Sequence, residues 1–371
     1  MLAVMKSEEK IARLRLIRTA TIGPITFARL LQHFGTAART IESVPQMMRQ
    51  HGGRPIRIAN RSVVEDEIAT VEKSGGTILV YGEEGYPPLL AQMDDAPGCI
   101  TVLGHHHLLE KKLIAMVGSR NATLNGRSFA KTLATELTRS GFCIVSGMAR
   151  GIDTAAHEGS ISGGTIAVLA GGVDHPYPEE NIELYERIIE AGAVVSEMPL
   201  GMRPLAQHFP VRNRIIAALA LGTVVVEANA NSGSLITARE ANERGREVMA
   251  VPGSPIDPRS RGCNTLIRQG ATLVETAEHI AEALTMTQIS APPQESINTD
   301  LKPLPEFPPE DTARTHQLLK NMLSYDAIEV DELIRECHVS PALANIVLLY
   351  MELSGEITRH HGNKVSLLYK A

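Results

Sequence analysis

With 371 residues, an apolar fraction of 43% and a formal net charge of -6, the chain has the composition of an ordinary globular protein large enough for two or three domains. That balance excludes a surface coated in positive charge, although twelve Lys/Arg against seven Asp/Glu in residues 1–75 make a regional basic surface possible. No uncharged apolar run is long enough to cross a bilayer, no leader pattern opens the chain, and the four cysteines lie far apart without a CxxC pair, so a cytoplasmic protein with no membrane association, zinc site or disulfide scaffold is expected.

Taken in order, residues 1–75 read as a helical domain of helix-hairpin-helix or SAM-like type. In Thr21 to Leu31, Gly23 suits a tight turn, Pro24 suits a first helical turn, and apolar residues recur at helical spacing through Phe34. Such a hairpin either seats a DNA phosphate on a helix N-terminus or is a small packing module, and both readings stay open.

From Leu113 short apolar runs alternate with helical segments. The runs are LIAMV (113–117), FCIV (142–145), TIAVL (165–169), AVV (193–195), TVVVE (223–227), EVMAV (247–251) and TLV (272–274). Between them, 128–140, 182–191, 215–220 and 235–244 have helical periodicity. The alternation predicts an α/β fold for residues 76–286, an extended Rossmann-like parallel sheet with helices on both faces. Residues 287–311 hold six prolines and no apolar period, as a linker does. Three helical segments (313–323, 330–337, 341–353) and two short strands (357–359, 365–368) then follow, the order of a winged helix over 312–371.

In a doubly wound sheet ligands bind outside the carboxyl ends of the strands, so the residues after each run carry the information. They are Gly118, Ser119 and Arg120, then Ser146, Gly147 and Arg150, then Gly171 and Gly172, and, further on, Ser232, Gly233 and Ser234. Glycine lets backbone N–H groups approach an anion, Ser adds donors and Arg supplies a planar fork for phosphate oxygens. Any one such pair is an ordinary turn, but their recurrence at one sheet edge describes a phosphate crevice. No GxGxxG follows the first run and the dipeptide Gly-Lys never occurs, which argues against NAD and ATP chemistry.

The stretch His208 to Ile216 contains Phe209, Arg212, Asn213 and Arg214. Two arginines opening a helix conflict with its positive end unless an anionic partner is present, or unless Glu197 or Glu227 pairs with them internally. Phe209 is a core ring or an exposed base-stacking ring, with core favoured. Asp153, His157, Asp174, Glu197 and Glu227 are the only candidates for acid/base work, no metal-ligand spacing occurs, and no cofactor is expected.

Together these segments resemble the DprA/Smf family (DNA processing protein A). The resemblance runs in order through Tyr86-Pro87-Pro88, VGSR, SGMARGID, GGVDHPYP, SEMP, FPVRNRII, VVVEANANSGSLITA, GREVMAVPG and the 262–271 segment. It implies a homodimeric, non-catalytic protein that binds and protects single-stranded DNA and loads the RecA recombinase during natural transformation. It also implies phosphate binding by Gly118, Ser119 and Arg120 and by the loop before the Arg212–Arg214 helix. Family members often carry lysine in that second loop, whereas this chain has Leu205-Ala206-Gln207-His208, which shifts the work to Arg203, Phe209 and the helix arginines. Residues 341–353 contain no Lys or Arg, which favours a protein partner over a DNA duplex for the winged helix. A more distant resemblance, to lysine-decarboxylase-like nucleotide phosphoribohydrolases, would make Arg214 and Glu227 catalytic in a nucleotide-processing enzyme, but that family's Pro-Gly-Gly and Gly-Gly-x-Gly-Thr motifs are missing.

Overall fold

The computed structural model describes residues 2–50, 56–290, 307–360 and 362–368. The chain divides into two compact units, one of Met1–Asp66, Asp94–Gly98 and Glu295–Ala371, the other of Glu67–Met93 and Cys99–Gln294. Four helices come first: α1 (Leu2–Ile17), α2 (Pro24–Phe34), α3 (Ala37–Gln50) and α4 (Arg61–Lys73). Pro24 occupies the first turn of α2, where its missing N–H costs no bond, and Gly35 ends the helix at φ 79, its N–H donating to the Leu31 carbonyl.

The large unit is built on β1 (Gly76–Val80), α5 (Pro88–Ala91), β2 (Cys99–Gly104), β3 (Leu113–Val117), α6 (Leu124–Arg139), β4 (Cys143–Ser146), α7 (Ile152–Ser160) and β5 (Thr165–Val168). It continues with α8 (Ile182–Ala191), β6 (Ala193–Ser196), α9 (His208–Leu219), β7 (Gly222–Val225), α10 (Ser234–Glu243), β8 (Glu247–Ala250), α11 (Arg261–Arg268), β9 (Thr272–Leu273) and α12 (Ala277–Ser290). The strand order is β1-β2-β6-β5-β4-β3-β7-β8-β9. From β6 to β9 every pairing is parallel, as the alternation predicts. This parallel sheet carries two antiparallel strands at one edge, where β2 pairs antiparallel with β6 and β1 antiparallel with β2. Those strands lie outside the βα alternation, so its period could not reveal them.

Central strands buried on both faces explain the unbroken apolar runs. Ile114, Met116, Ile144 and Val224 pack under Leu133 and Leu137 of α6, Ile152 of α7 and Ile280 of α12. Ala167 and Val194 pack with Leu184 and Ile188 of α8. Each fully buried Ile or Leu contributes roughly 1.5–3 kcal/mol, which is what anchors the loops above the strands.

The last elements are α13 (Pro309–Met322), β10 (Ile328–Glu329), α14 (Val330–Cys337), α15 (Pro341–Leu353), β11 (Ile357–His360) and β12 (Lys364–Leu367). Their sheet order is β10-β12-β11. Where a linker is expected at 287–311, α12 reaches Ser290 and α13 starts at Pro309; residues 291–306 lie outside those described.

One face of α15 supplies Ala344, Val347, Leu348 and Met351 to the winged-helix core. Its other face is buried as well, through Ile346, Leu349 and Leu353. Asn345 and Glu352, one heptad apart on that second face, bond to α2: Thr26 Oγ1 donates to Glu352 at 2.7 Å and Arg29 Nη1 to Asn345 Oδ1 at 3.2 Å. This face of helix 341–353, which carries no Lys or Arg, thus meets this chain's own hairpin helix.

Candidate nucleic-acid interface

Strand order reverses at β3, with β4, β5 and β6 on one side and β7, β8 and β9 on the other. The β3 and β7 loops therefore diverge and leave a crevice at the switch point, the position where open α/β sheets bind ligands. A cavity of about 850 Å³ lies there. It is lined by Gly118, Ser119 and Arg120 after β3, by Ser232, Gly233 and Ser234 at the start of α10, and by Phe209, Arg212 and Asn213 of α9.

The β3 loop is fixed by backbone bonds on both sides. Ser119 N–H donates to the Glu227 carbonyl at 2.6 Å, and the Ser119 carbonyl accepts from Ile152 N–H at 3.2 Å. Gly151 adopts φ 81 beside that loop, where an added Cβ would stand 2.8 Å from the Arg120 carbonyl. Glycine is needed here on both counts. With its backbone tied down, Arg120 projects an exposed side chain whose guanidinium carbon lies 5.5 Å from the Phe209 ring centroid. Phe209 is half-buried and meets the exposed Tyr177 edge to face, with centroids 5.6 Å apart. The Arg212 guanidinium carbon also lies 5.8 Å from its centroid, and the half-buried ring lines the crevice rather than being enclosed in the core.

The helix arginines have separate duties. Arg212 is 6% exposed, and its Nη1 donates to the Gly147 and Val168 carbonyls, the strand-end carbonyls of β4 and β5. A Cβ at Gly147 would stand 2.5 Å from Arg212 Nη1, so glycine lets the guanidinium reach these oxygens. Burial pulls the Arg212 pKa down to about 10, with nearby Asp153 opposing the shift. Burial pushes Asp153 up to about 6 against the pull of Arg212 and of the Ala149 and Gly147 N–H groups, which donate to its carboxylate. The β4 loop between them is strained, for Met148 sits at φ 59 with its carbonyl held by Asn181 Nδ2 at 2.8 Å.

Arg214 pairs with Glu197 through Nη2 at 2.6 and 2.8 Å, with side chains only 10% and 16% exposed. Glu227 serves α6 instead. Its carboxylate accepts from Thr123 N–H and from Thr123 Oγ1, adding negative charge at the helix N-terminus. Asp174 accepts from Gly201 N–H. Arg214 and Glu227, the candidates for a nucleotide-processing enzyme, thus each serve a partner of their own.

Several residues singled out from sequence stand behind the cavity rather than on it. Ser146 donates to the Met116 carbonyl at 2.6 Å inside the sheet. The Gly171 carbonyl accepts from Ser196 at 2.6 Å, and Gly172 N–H donates to Met202 at 2.8 Å, so this loop seats 199–204. Arg150 faces a neighbouring groove. Conversely, Asn121, Tyr177, Asn229 and Arg259 line the crevice without having stood out in the sequence. Arg259 follows β8, so extending the strand-end rule seven residues past Pro252 would have found it.

Electrostatically the lining has three arginines, Arg120, Arg212 and Arg259, against one carboxylate, Asp153. Loop 205–208 adds no cation, and Leu205 is 51% exposed there. Among the described residues no cluster of His, Cys, Asp and Glu could hold a metal, and no helix is long and apolar enough to cross a membrane.

Residues 77–285 match the family described as DNA recombination-mediator protein A, residues 7–70 its DprA-like N-terminal HHH domain, and residues 302–363 the DprA winged helix domain. The DNA processing protein DprA of Bacillus subtilis is 42% identical over 220 residues, covering 58% of this chain and 74% of the relative. Protein Smf of Escherichia coli is 42% identical over 227 residues, covering 60% and 61%. The X-ray structure of DprA from Streptococcus pneumoniae superimposes with a TM-score of 0.57 at 35% identity, over 66% of this chain and 81% of that one. A structure of Helicobacter pylori DNA processing protein A, described for its single-stranded DNA binding mode, gives 0.52 at 28% identity over 57% and 96%. With all three of its domains matched in order, this chain belongs to the DNA recombination-mediator protein A family, DprA/Smf.

Proposed function

We propose that this protein binds single-stranded DNA in the switch-point crevice as a non-catalytic recombination mediator. In this reading it works as a cytoplasmic homodimer that protects incoming DNA and passes it to RecA during natural transformation. The observation that carries the reading is Arg120 over Phe209, an exposed guanidinium and a half-buried ring that both line a cavity with one carboxylate. Together they meet the two invariant parts of a single strand, phosphate charge and a base face, without reading sequence. The single-strand binding mode described for the Helicobacter pylori relative supports the same ligand.

Gly118, Ser119 and Arg120 meet phosphate directly, as do Asn213, Ser232, Gly233 and Ser234 around the cavity. Arg212 and Arg214 shape α9 from within, and Ser146, Gly147, Gly171 and Gly172 back the floor. The absence of turnover is supported by the carboxylates, since Asp153, Glu197 and Glu227 each already serve an internal partner. Fluorescence anisotropy with single- and double-stranded oligonucleotides of one sequence tests the proposal. Tighter binding of the single strand, weakened in Arg120→Ala across all sequences, is expected; equal affinity of wild type and Arg120→Ala would overturn the site.

A further inference from the structure

Beside the crevice lies a second groove of about 530 Å³, and Arg120 belongs to both. It runs between α6 and α7, with Arg120, Arg127, Lys131 and Arg150 as its cations and Glu158 and Glu180 as its carboxylates. Each carboxylate is matched to one cation, Glu158 to Lys131 at 3.0 Å and Glu180 to Arg150 at 3.5 Å. All four of those side chains are well exposed, so the pairs are weak in water and open to exchange. Arg120 and Arg127 are left in excess, and neither has an ion-pair partner among the described residues.

Arg127 lies in the fourth position of α6 with its side chain exposed, at the helix end where the Glu227 carboxylate already caps Thr123. At the mouth of the same groove, Leu124 is 73% exposed. Free cationic charge, exchangeable ion pairs and an exposed apolar side chain suit a sugar-phosphate chain better than a small anion, which would have no use for the apolar surface or for the length of the groove.

We propose that this groove continues the DNA track, so that a strand held in the switch-point crevice passes Arg120 and lays its next nucleotides along α6. Arg127 takes a phosphate, Arg150 and Lys131 exchange their carboxylates for backbone oxygens, and Leu124 packs against sugar or base. This rests on the crevice holding single-stranded DNA. The ligand is the same strand, and no second molecule is required.

The test is anisotropy with the full chain and an oligothymidylate length series, comparing wild type with Arg127→Glu and Arg127→Ala. Wild type gains affinity once the strand is long enough to leave the crevice. Arg127→Glu binds the shortest oligonucleotides like wild type but lacks that gain, ending about tenfold weaker on long strands, and Arg127→Ala lowers the salt slope by about one. Arg150→Glu gives the same length-dependent loss from the other wall, which guards against a folding defect peculiar to α6. If the variants follow wild type at every length, the groove proposal fails while the crevice stands. If wild type binds no oligothymidylate, the crevice reading fails and the groove with it.

Discussion

The Arg120 guanidinium carbon lies 5.5 Å from the centroid of the Phe209 ring, which joins the charge for a phosphate and the ring for a base into one surface. The two contributions are separable by salt. Arg120→Ala removes a counterion-releasing contact and lowers the slope of log K against log salt by about one. Phe209→Leu removes stacking worth about 1–3 kcal/mol per base and leaves that slope unchanged. Salt titrations of both variants by anisotropy check this, and identical slopes would refute the division of roles.

Arg214 and Glu197 form a nearly enclosed ion pair at 2.6 Å. Removing one partner strands the other charge, so Arg214→Ala should cost about 3–5 kcal/mol in chemical unfolding. Arg214→Met combined with Glu197→Leu should recover most of it, because the pair is replaced by packing. DNA affinity of the folded double variant should stay within a few-fold of wild type, whereas a residue gripping phosphate directly would lose far more.

His157 and Asp153 carry opposed pH dependences one helical turn apart in α7. Burial holds His157 down to about 3, with Arg212 adding to the shift; the Thr165 hydroxyl donates to the Ile144 carbonyl and accepts from His157 Nδ1 at 2.7 Å. Its folded pKa is depressed, so the stability it contributes is present above about 6.5 and is lost as pH falls toward about 3. Asp153 is raised to about 6, so its contribution is present below about 3.8 and is lost as pH rises through about 6. Between about pH 4 and 6 the two oppose each other at up to about 1.4 kcal/mol per pH unit each. His157→Gln should therefore gain relative stability on acidification across this window and Asp153→Asn should lose it, as read by urea unfolding at stepped pH. Parallel profiles in the two variants would contradict the assignment.

Leu349 lies on the face of α15 that carries Asn345 and Glu352 toward α2, and it is buried. Leu349→Asp should lower stability by about 2–5 kcal/mol, the cost of losing a packed leucine from an interface. Thermal unfolding of the full chain checks this. An unchanged melting temperature would mean that this face of the winged helix is free.

Much of this architecture is legible in the sequence, because central parallel strands are buried on both faces and leave continuous apolar runs. LIAMV coincides with β3, and helices 182–191 and 341–353 coincide with α8 and α15. The antiparallel strands β1 and β2 and the two-residue β10 escape because they lack a crossover helix or sufficient length. At the site, the β3 loop and the start of α10 are readable from the strand-end rule alone. Arg212 is not, because its acceptors are the carbonyls of Gly147 and Val168, 65 and 44 residues away, and only the fold brings them together. Tyr177 is likewise paired with Phe209 by two loops that converge in space. The missing lysine in 205–208 weakens one edge of the crevice, and Arg259, arriving from beyond β8, brings to its lining a cation already paired with Asp257 at 3.1 Å.

The proposal places single-stranded DNA in the crevice between the β3 and β7 loops. Photocrosslinking of an oligothymidylate carrying a photoreactive base to the full chain, with adducts mapped by mass spectrometry, tests it most directly. Adducts at Phe209 and Tyr177, lost on competition with unlabelled single strand, are the predicted result. Adducts confined to α2, α15 or the 357–367 hairpin, with none in the crevice, would contradict it.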